Sequence, residues 1–398
     1  MSAAVCAAAV SLLLAPALAT HAASAQEPVV RGYYLNVASI SGHGAYGAGG
    51  ASEFQRLRLM TSPAAGPLRL EVAYEHTLLY SQEAGAPLGA LTPGSQVSSI
   101  NWLELDWPVG VSLGDHFAWQ HRLDRLNATL TVGNAELRVG RQAISWATTL
   151  FLTPADPFSP FDPSDPFREY RGGVDALRLQ FFPSAFSAAE LVVRPERTTV
   201  GHTLTALARG KLSAGGWDLS AWAGALHDRA AAAAAVTRTL AGAALRGEIT
   251  LRRDARGGTI ARFAVGADRR WSVLRRDLYL VVEYQHDGYG AADASDLAAL
   301  GVSLPYLRGE MQVAGRDVAA MQATYQLHPL VSAALLVLAD LHDGSVLLSP
   351  AFSYSVSDAV GLRAGAYLGV GRSPGLTSTG SEFGGLPQTG YIALSAFF

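Results

Sequence analysis

The sequence predicts an all-β fold: a transmembrane antiparallel up-and-down β-barrel of about 18 strands, with 16 as the fallback count. Three observations predict it. The mean hydropathy is slightly positive, +0.18, yet no apolar stretch of about 18 residues, the length that marks a membrane helix, exists beyond residue 25. Many segments alternate polar and apolar residues, and the last residue is the aromatic Phe398. Because lipid offers no partners for backbone N–H and C=O groups, such a chain can cross a membrane only as a closed barrel.

The N-terminal segment, residues 1–25, has the pattern of a secretory signal peptide. An apolar run over residues 5–18 is followed by Ala23-Ser24-Ala25, a small-residue cleavage pattern. The run is shorter than the roughly 20 residues that a permanent membrane helix needs. We therefore expect cleavage near Ala25/Gln26, a barrel over residues 26–398 and localisation in the outer membrane of a Gram-negative cell.

The alternation with a period of two is clean in several segments. In 68–75 and 245–252, aliphatic residues face one way while arginines and glutamates face the other. A soluble β-sandwich would have to bury those arginines, whereas a water-filled lumen accommodates them. The predicted strands are 29–40, 52–61, 67–80, 118–132, 135–146, 173–182, 187–195, 202–213, 216–227, 232–240, 243–253, 258–270, 277–287, 315–327, 331–342, 345–356, 360–371 and 389–398.

The connections between these strands are short at one end and long at the other, as in membrane barrels. Segments 187–195 and 232–240 are weak strands, and Ala230–Ala235 alone would favour a helix, which is the reason for the fallback count. The final strand ends on Phe398 and resembles the C-terminal signal that the barrel-assembly machinery recognises. The long loops are expected at 41–51, 81–117, 147–173, 288–314 and 372–388.

The inward-facing positions predict the lining of a lumen. On the cleaner strands nine arginines (56, 58, 69, 178, 246, 252, 262, 270 and 363) face six acids (Glu71, Glu75, Asp218, Glu248, Asp268 and Glu283). This excess gives a mildly cationic wall, which favours anionic solutes as a hypothesis. The predicted pore-lining and constriction residues are Arg56, Arg58, Arg69, Glu71, Arg138, Gln142, Asp156, Phe158, Phe161, Asp162, Asp165, Arg178, Arg246, Glu248, Arg262, Asp268, Glu283 and Arg363.

The segment 153–167 has a proline at every third position, from Pro154 to Pro166. Polyproline II has three residues per turn, so the segment is predicted to form a stiff rod of ~37 Å. An 18-strand barrel is roughly 36 Å across, so the rod could lie across the lumen. Three interpretations stay open: a constriction inside the lumen, a rigid lid over it, or a Ca²⁺ site. The other side chains of the rod are Asp156, Asp162 and Asp165 with Phe158, Phe161 and Phe167.

The residues on either side of this segment resemble a known family. Gly140-Arg141-Gln142 precedes the loop, and Asp175 with Arg178 follows it on the next strand. This layout resembles alginate-export-type and related porin-like outer-membrane channels, and the resemblance implies their fold and an export or diffusion role. Ala147 departs from the glycine of that pattern. Strict alternation would also point Arg141 towards lipid, unless a bulge or a position at the rim intervenes.

These features predict a passive channel for small solutes and no enzyme. The first strand begins soon after Gln26, without a preceding plug of the kind found in active transporters. With a net charge of −3 and no basic patch, nucleic acid is not an expected partner. Cys6, the only cysteine, lies in the signal, so no Cys-based metal site is expected, and no cofactor is expected either. The expected partners are outer-membrane lipid and a small solute.

Two rival functions and one open question accompany the channel prediction. The first rival is a non-conducting structural or assembly barrel. The second is a hydrolase built from the rim pairs His227-Asp228, His286-Asp287 and His342-Asp343, although turn formation explains these pairs better. The loop 81–117, with Trp102, Trp107 and Trp119, suits either a contact between copies in a homo-oligomer or an anchor at the membrane surface.

Overall fold

The computed structural model of the protein describes residues 30–44, 49–83, 100–109, 115–158, 165, 167, 169–198, 201–254, 257–375 and 380–398. The predicted signal peptide 1–25, its cleavage point at Ala25/Gln26, and residues 159–164 and 166 of the predicted rod, among them Phe161 and Asp162, lie outside these described residues.

Eighteen antiparallel strands form one closed wall, in which each strand pairs with the next and the last pairs with the first. Three further strands of two or three residues add to its edges at Ala64–Ala65, Ile100–Asn101 and Asp106–Pro108. The wall strands are β1 (Arg31–Ser41), β2 (Gly50–Thr61), β3 (Leu68–Ser81), β4 (Phe117–Val132), β5 (Ala135–Gln142), β6 (Val174–Ser184), β7 (Ser187–Thr198), β8 (Gly201–Ala214), β9 (Trp217–Leu226), β10 (Arg229–Leu240), β11 (Ala243–Arg253), β12 (Thr259–Val273), β13 (Arg276–Asp287), β14 (Asp317–His328), β15 (Val331–Asp340), β16 (Val346–Ser355), β17 (Val360–Val370) and β18 (Thr389–Phe397).

The predicted fold class and the larger strand count are confirmed. Both weak segments are strands, and the alanine run of β10 pairs along its length with β9 and β11. Backbone pairing on both sides therefore overrides the intrinsic helix preference of alanine. One predicted strand, 135–146, is wrong at its end: β5 stops at Gln142, because Ile144 and Trp146 leave the wall and pack inside the barrel.

The connections give the barrel two different ends. At the end that holds both chain termini, hereafter the turn end, strands are joined by two to six residues. At the opposite loop end the connections reach 35 residues, and the loop 288–316 contains two short helices, α1 (Ala294–Leu300) and α2 (Leu304–Leu307). In the part of the chain that the structure describes, neither helix nor any other has the length and apolar character needed to span a membrane.

The two faces of the wall differ as the alternation predicts. In β11, Leu245, Ile249 and Leu251 are exposed on the outer face, whereas Glu248 and Arg252 are buried on the inner face. An apolar outer band with polar side chains inside is the arrangement that a lipid-embedded barrel requires.

The interior is not uniformly polar, which differs from the predicted charged lumen. On the inner face of β14–β18, β1 and β2, buried side chains such as Tyr33 form an apolar core. Three loops contribute to it: Leu152 and Phe167 come from the loop 143–173, Val313 from 288–316 and Phe383 from 371–388. The loops thus fold into the barrel, because their apolar side chains are buried there.

The loops 288–316 and 371–388 are joined through Glu382. Its carboxylate accepts hydrogen bonds from the backbone N–H groups of Ala314 (2.6 Å) and Gly315 (2.9 Å), and its own N–H donates to Asp343 (2.6 Å). Burial, together with the nearby charges of Asp340 and Asp343, outweighs the two N–H donors and raises the pKa of Glu382 to about 8.

We expect this junction to weaken as the pH rises. When folding raises the pKa of an acid, its protonated form stabilises the folded state. This contribution to the free energy of unfolding is complete below the unfolded pKa and is lost as the pH rises to the folded pKa. Here the window runs from 4.5 to about 8, and the loss is at most ~1.4 kcal/mol per pH unit. The difference in Tm between the wild type and Glu382→Gln, measured by thermal unfolding between pH 4 and 9, should change across this window. The exposed Glu169→Gln should follow the wild type; parallel curves for all three proteins would contradict the prediction.

The barrel closes at the turn end through Gly32 and the terminal residue. Gly32 N–H donates to the Phe398 carbonyl (2.7 Å), and Phe398 N–H donates to the Gly32 carbonyl (3.0 Å). A Cβ at Gly32 would lie 2.5 Å from the Arg58 carbonyl oxygen and 2.7 Å from the Phe398 ring. Only glycine fits this close approach.

Gly32→Ala should therefore lower the free energy of unfolding by about 1–3 kcal/mol, because the extra methyl group forces the closing strands apart. Equilibrium urea unfolding of the barrel in detergent or lipid, followed by tryptophan fluorescence, measures the change. Gly210→Ala is the matched control, since no heavy atom lies within 4 Å of its added Cβ. Equal effects of the two substitutions would show that Gly32 is not a steric requirement.

Candidate functional site

The described residues of the loop 143–173, between β5 and β6, contact the inside of the wall on two sides of the barrel. On one side, Trp222 of β9 donates to the Ala155 carbonyl (2.9 Å) and Thr250 of β11 donates to the Pro154 carbonyl (3.0 Å). On the other side, the Phe167 ring packs edge-on against Tyr391 of β18, with 4.9 Å between centroids. Strands β9–β11 and β18 lie on different sides of the ring of 18, so the loop passes from one side of the wall to another.

Two wall glutamates hold the loop through its backbone. Glu248 of β11 accepts hydrogen bonds from the N–H groups of Thr148 (2.8 Å), Thr149 (3.1 Å) and Ala155 (2.9 Å). Glu283 of β13 accepts from Leu150 (2.5 Å), Phe151 (2.9 Å) and Leu152 (2.9 Å). Both were predicted as lining acids of the lumen, but their carboxylates bind the chain itself.

The predicted proline rod does not begin as polyproline II. Asp156 N–H donates to the Thr153 carbonyl (3.1 Å), which makes a turn at Pro154 and Ala155. Polyproline II has no internal hydrogen bonds, so this start of the rod is corrected. At the other end, Phe167 N–H donates to the carboxylate of Asp165 (2.9 Å). Residues 159–164 lie outside the described residues, and a rod there stays a prediction.

Asp156 and Phe158, two of the predicted constriction residues, stabilise the loop. The Asp156 carboxylate accepts from the Ser145 hydroxyl (2.8 Å) and the Arg171 guanidinium (2.7 Å). The Phe158 ring packs edge-on against Trp146, with 4.8 Å between centroids. Within the described residues, no three His, Cys, Asp or Glu side chains are placed to hold a metal. The predicted alternative of a Ca²⁺ site also depends on Asp162, which is not described.

A chamber on the loop-end side of this segment is lined by charged side chains. Arg194 pairs with Glu196 (3.0 Å), and His227 contacts Glu196 through Nδ1 (2.6 Å). Arg252 pairs with Glu310 of the loop 288–316, and Arg262 pairs with Asp287 (2.8 Å). The wall of the chamber also includes Pro157, Phe158, Trp222 and Tyr289. Arg194 and Glu196 lie two residues apart on β7, so alternation places them on one face of the wall. Glu310 comes from the distant loop 288–316, and no spacing in the sequence links it to them.

A second charged cluster lies on β2–β4 around Arg58. Its guanidinium contacts Glu75 and Asp124 (2.6 Å to the latter), and it lies 4.6 Å from the centroid of the Tyr170 ring. Asp124 reaches the interior because β4 bulges there: Ala73 pairs with Arg125 and Tyr74 pairs with Leu123, which leaves Asp124 as an extra residue. The sequence carries a signal of this bulge, because the apolar alternation of β4 changes phase after Leu123.

Most other predicted lining residues face the interior with a partner of their own. Arg178 pairs with Glu190 (2.5 Å) and Arg246 pairs with Asp268 (2.8 Å). Gln142 is buried and donates to the Ala176 carbonyl (2.9 Å). Arg56 donates to the Phe167 carbonyl (3.4 Å), and Glu71 accepts from Asn127 (3.0 Å). Arg138 pairs with Glu136 (2.8 Å), and Arg363 donates to Ser353 (3.2 Å). Arg69 is exposed.

Arg141 lies on the outer face, as strict alternation predicts, close to the end of β5. It is 1% exposed, because residues 100–108 of the loop 82–116 cover it. Its guanidinium pairs with Asp175 (2.8 Å) and donates to the Leu103 carbonyl (2.6 Å). The segment that covers this ion pair exposes Trp102 and Trp107.

The three rim His-Asp pairs do not form one site. His227 contacts Glu196 inside the barrel. His286 and His342 instead both contact Asp317, at 2.8 and 2.5 Å, on the outer face. Their partners are therefore not the aspartates that follow them in the sequence, and the three pairs do not converge as one hydrolase site would require.

No protein-family model and no curated protein matches this sequence. Solved structures do match its fold. The outer membrane protein OpdK of Pseudomonas aeruginosa has a TM-score of 0.54 at 11% identity, over 93% of this chain and 98% of that one. A BenF-like porin of Pseudomonas fluorescens Pf-5 has a TM-score of 0.55 at 10% identity, over 93% of this chain and 98% of that one. OccK7 (OpdD) of P. aeruginosa has a TM-score of 0.51 at 15% identity, with the same coverage of both chains. The similarity to alginate-export-type channels stays a prediction. At these identities the comparison establishes the architecture: the chain has the closed-barrel fold of outer-membrane porins.

Proposed function

We propose that the protein is a porin-like channel of the Gram-negative outer membrane, through which small anionic solutes diffuse passively past the loop 143–173. The observation that carries the proposal is the path of this loop. Its described residues contact opposite parts of the wall inside the barrel, Ala155 beside β9 and β11 and Phe167 beside β18. A segment at that place sets the width of whatever passage the barrel contains.

The charge of the interior supports a preference for anions. Glu248 and Glu283 are occupied by backbone N–H groups, so they offer little to a passing solute. Below the loop, towards the turn end, an open space of the interior is lined by three cations, Arg209, Lys211 and Arg246, and by one acid, Asp218. Cations concentrated on one wall of a narrow passage attract anions and repel cations.

The apolar part of the interior supports a solute with an apolar body. Arg56 lies beside Phe54 and Phe167, at the border between the apolar core and the charged cluster of Arg58. A small carboxylate with an aromatic or aliphatic body suits such a border, because its two parts meet matching surfaces. One structural neighbour, OpdK of P. aeruginosa, is described with vanillate.

A non-conducting structural barrel is the second candidate. It is favoured by the apolar core, in which side chains from three loops pack against the wall. The two candidates differ in one measurable property, which is the flux of small solutes through the purified barrel.

Liposome swelling should show flux through the wild type and faster flux after the loop is shortened. Deletion of residues 153–167 removes the crossing segment but leaves Thr148–Leu152 on the wall glutamates, so we expect a severalfold rise in the rate for small sugars and amino acids. Replacement of the same residues by a Gly/Ser linker of equal length serves as a control, because it changes the segment without shortening the chain. No flux through either the wild type or the shortened chain would support the structural barrel.

Neutralising the open cationic wall should reduce the preference for anions. In planar bilayers under a salt gradient, we expect an anion-selective reversal potential for the wild type and a several-millivolt shift towards zero for Arg209→Gln/Lys211→Gln. Arg269→Gln is the matched control, because this arginine lies at the outer face beside Trp271. A cation-selective wild type would contradict the anion proposal, and so would an equal shift in the control.

A further inference from the structure

We propose that Glu248 and Glu283 are positioning residues: they set the width and selectivity of the channel by holding the loop backbone, without contacting the solute. This inference rests on the proposed function. It also changes the role expected for the two acids, which would then contribute little to the charge that a solute meets.

The hydrogen bonds of the loop account for every backbone N–H between Thr148 and Ala155. Glu248 accepts three of them, Glu283 accepts three more, and Gln312 accepts that of Thr153 (2.5 Å). Pro154 has no N–H. Buried N–H groups must find acceptors, and this stretch has no strand or helix of its own to supply them. The wall carboxylates therefore determine where the loop lies.

Both carboxylates are buried, and they accept hydrogen bonds from the loop backbone instead of pairing with a cation. Glu248 is 4% exposed and Glu283 is 2% exposed, and neither forms an ion pair within the described part of the chain. By contrast, other acids of the interior, such as Glu75, Glu190 and Asp268, pair with arginines. The negative charge of the two glutamates is balanced by N–H donors of the loop instead.

The wall is also shaped to admit one of these side chains. Glu283 lies on β13 opposite Gly266 of β12, in the same register position. A Cβ at Gly266 would lie 2.6 Å from Cγ of Glu283, so the glycine leaves the space that the glutamate side chain occupies. The two anchors thus belong to strands of a closed sheet, which is a rigid base for a segment without secondary structure.

Glutamine cannot replace either anchor, because its amide has a single acceptor oxygen and its NH₂ group faces the loop as a donor. We therefore expect Glu248→Gln/Glu283→Gln to release the loop. The control is Glu190→Gln, which removes one negative charge from the inner wall, from an acid that pairs with Arg178 and not with the loop.

Thiol labelling reports the position of the loop independently of conduction. Thr149 is 4% exposed, so Thr149→Cys should react slowly with a membrane-impermeant maleimide in the otherwise wild-type barrel and in Glu190→Gln. In Glu248→Gln/Glu283→Gln we expect a labelling rate at least tenfold higher. The same chain without Thr149→Cys gives the background, and the shift in gel mobility on heating shows that each barrel is folded.

Single-channel recording then tests the effect on the pore. We expect at least a twofold rise in conductance for the double variant and less than a 1.5-fold change for Glu190→Gln. Folded double-variant barrels that label no faster than the control would overturn the inference. Faster labelling with unchanged conductance, where the wild type conducts, would overturn the part of the inference that concerns the width of the channel. A wild type without conductance would instead refute the proposed function, while labelling still reports on the anchors.

If the double variant does not fold, the single variants Glu283→Gln and Glu283→Asp decide the matter. Aspartate keeps two acceptor oxygens, so in Glu283→Asp the cysteine of Thr149→Cys should be labelled at a rate between the rates in the wild type and in Glu283→Gln. Equal rates for all three proteins would overturn the inference.

Discussion

Backbone hydrogen bonding is the constraint on which the rest of this structure depends. In lipid, each strand must pair on both sides, and the sheet meets this demand by closing between β1 and β18. The closure is tight enough that Gly32 faces the terminal Phe398 without room for a side chain. The same demand applies inside the barrel, where the loop 143–173 has no sheet of its own. There the wall supplies carboxylates in place of a neighbouring strand.

The interior divides into an apolar part and a charged part, and the loops lie along both. Leu152 and Phe167 of one loop join the apolar core, while Asp156 of the same loop accepts from Arg171. Burial of apolar side chains and pairing of charges therefore act on one segment together. A barrel filled in this way differs from an empty pore: its passage is set by where the loops pack and not by the diameter of the sheet.

The sequence predicts the wall well because alternation and strand pairing are local signals. The alanine run of β10, a helix former by propensity, was predicted only as a weak strand, and pairing with β9 and β11 makes it one. The predictions failed where a residue departs from the period. Asp124 enters the interior through a bulge, and Trp146 leaves the strand to which it was assigned. The departure of Trp146 is decided by contacts with distant segments, which a pattern along the chain does not contain. The bulge at Asp124 does leave a signal in the sequence, the change of phase in the apolar alternation of β4.

The functional roles were harder to predict than the positions. Glu248 and Glu283 face inwards as alternation requires, but a sequence does not show whether an inward acid meets water, an arginine or a backbone N–H. The proline spacing of 153–167 suggested a rod, whereas a hydrogen bond from Asp156 to Thr153 makes its first residues a turn. Side chains of the wall, rather than the composition of the loop, determine that geometry.

Anchoring by the main chain has a consequence for how such a barrel can change. The wall glutamates hold N–H groups that every residue except proline possesses, so these hydrogen bonds to residues 148–152 do not depend on which side chains the residues carry. Those side chains can be exchanged, within the limits of packing, while the segment stays where it is. The wall thus fixes the backbone of the inner segment, while the side chains that the segment presents to the interior can change within the limits of packing.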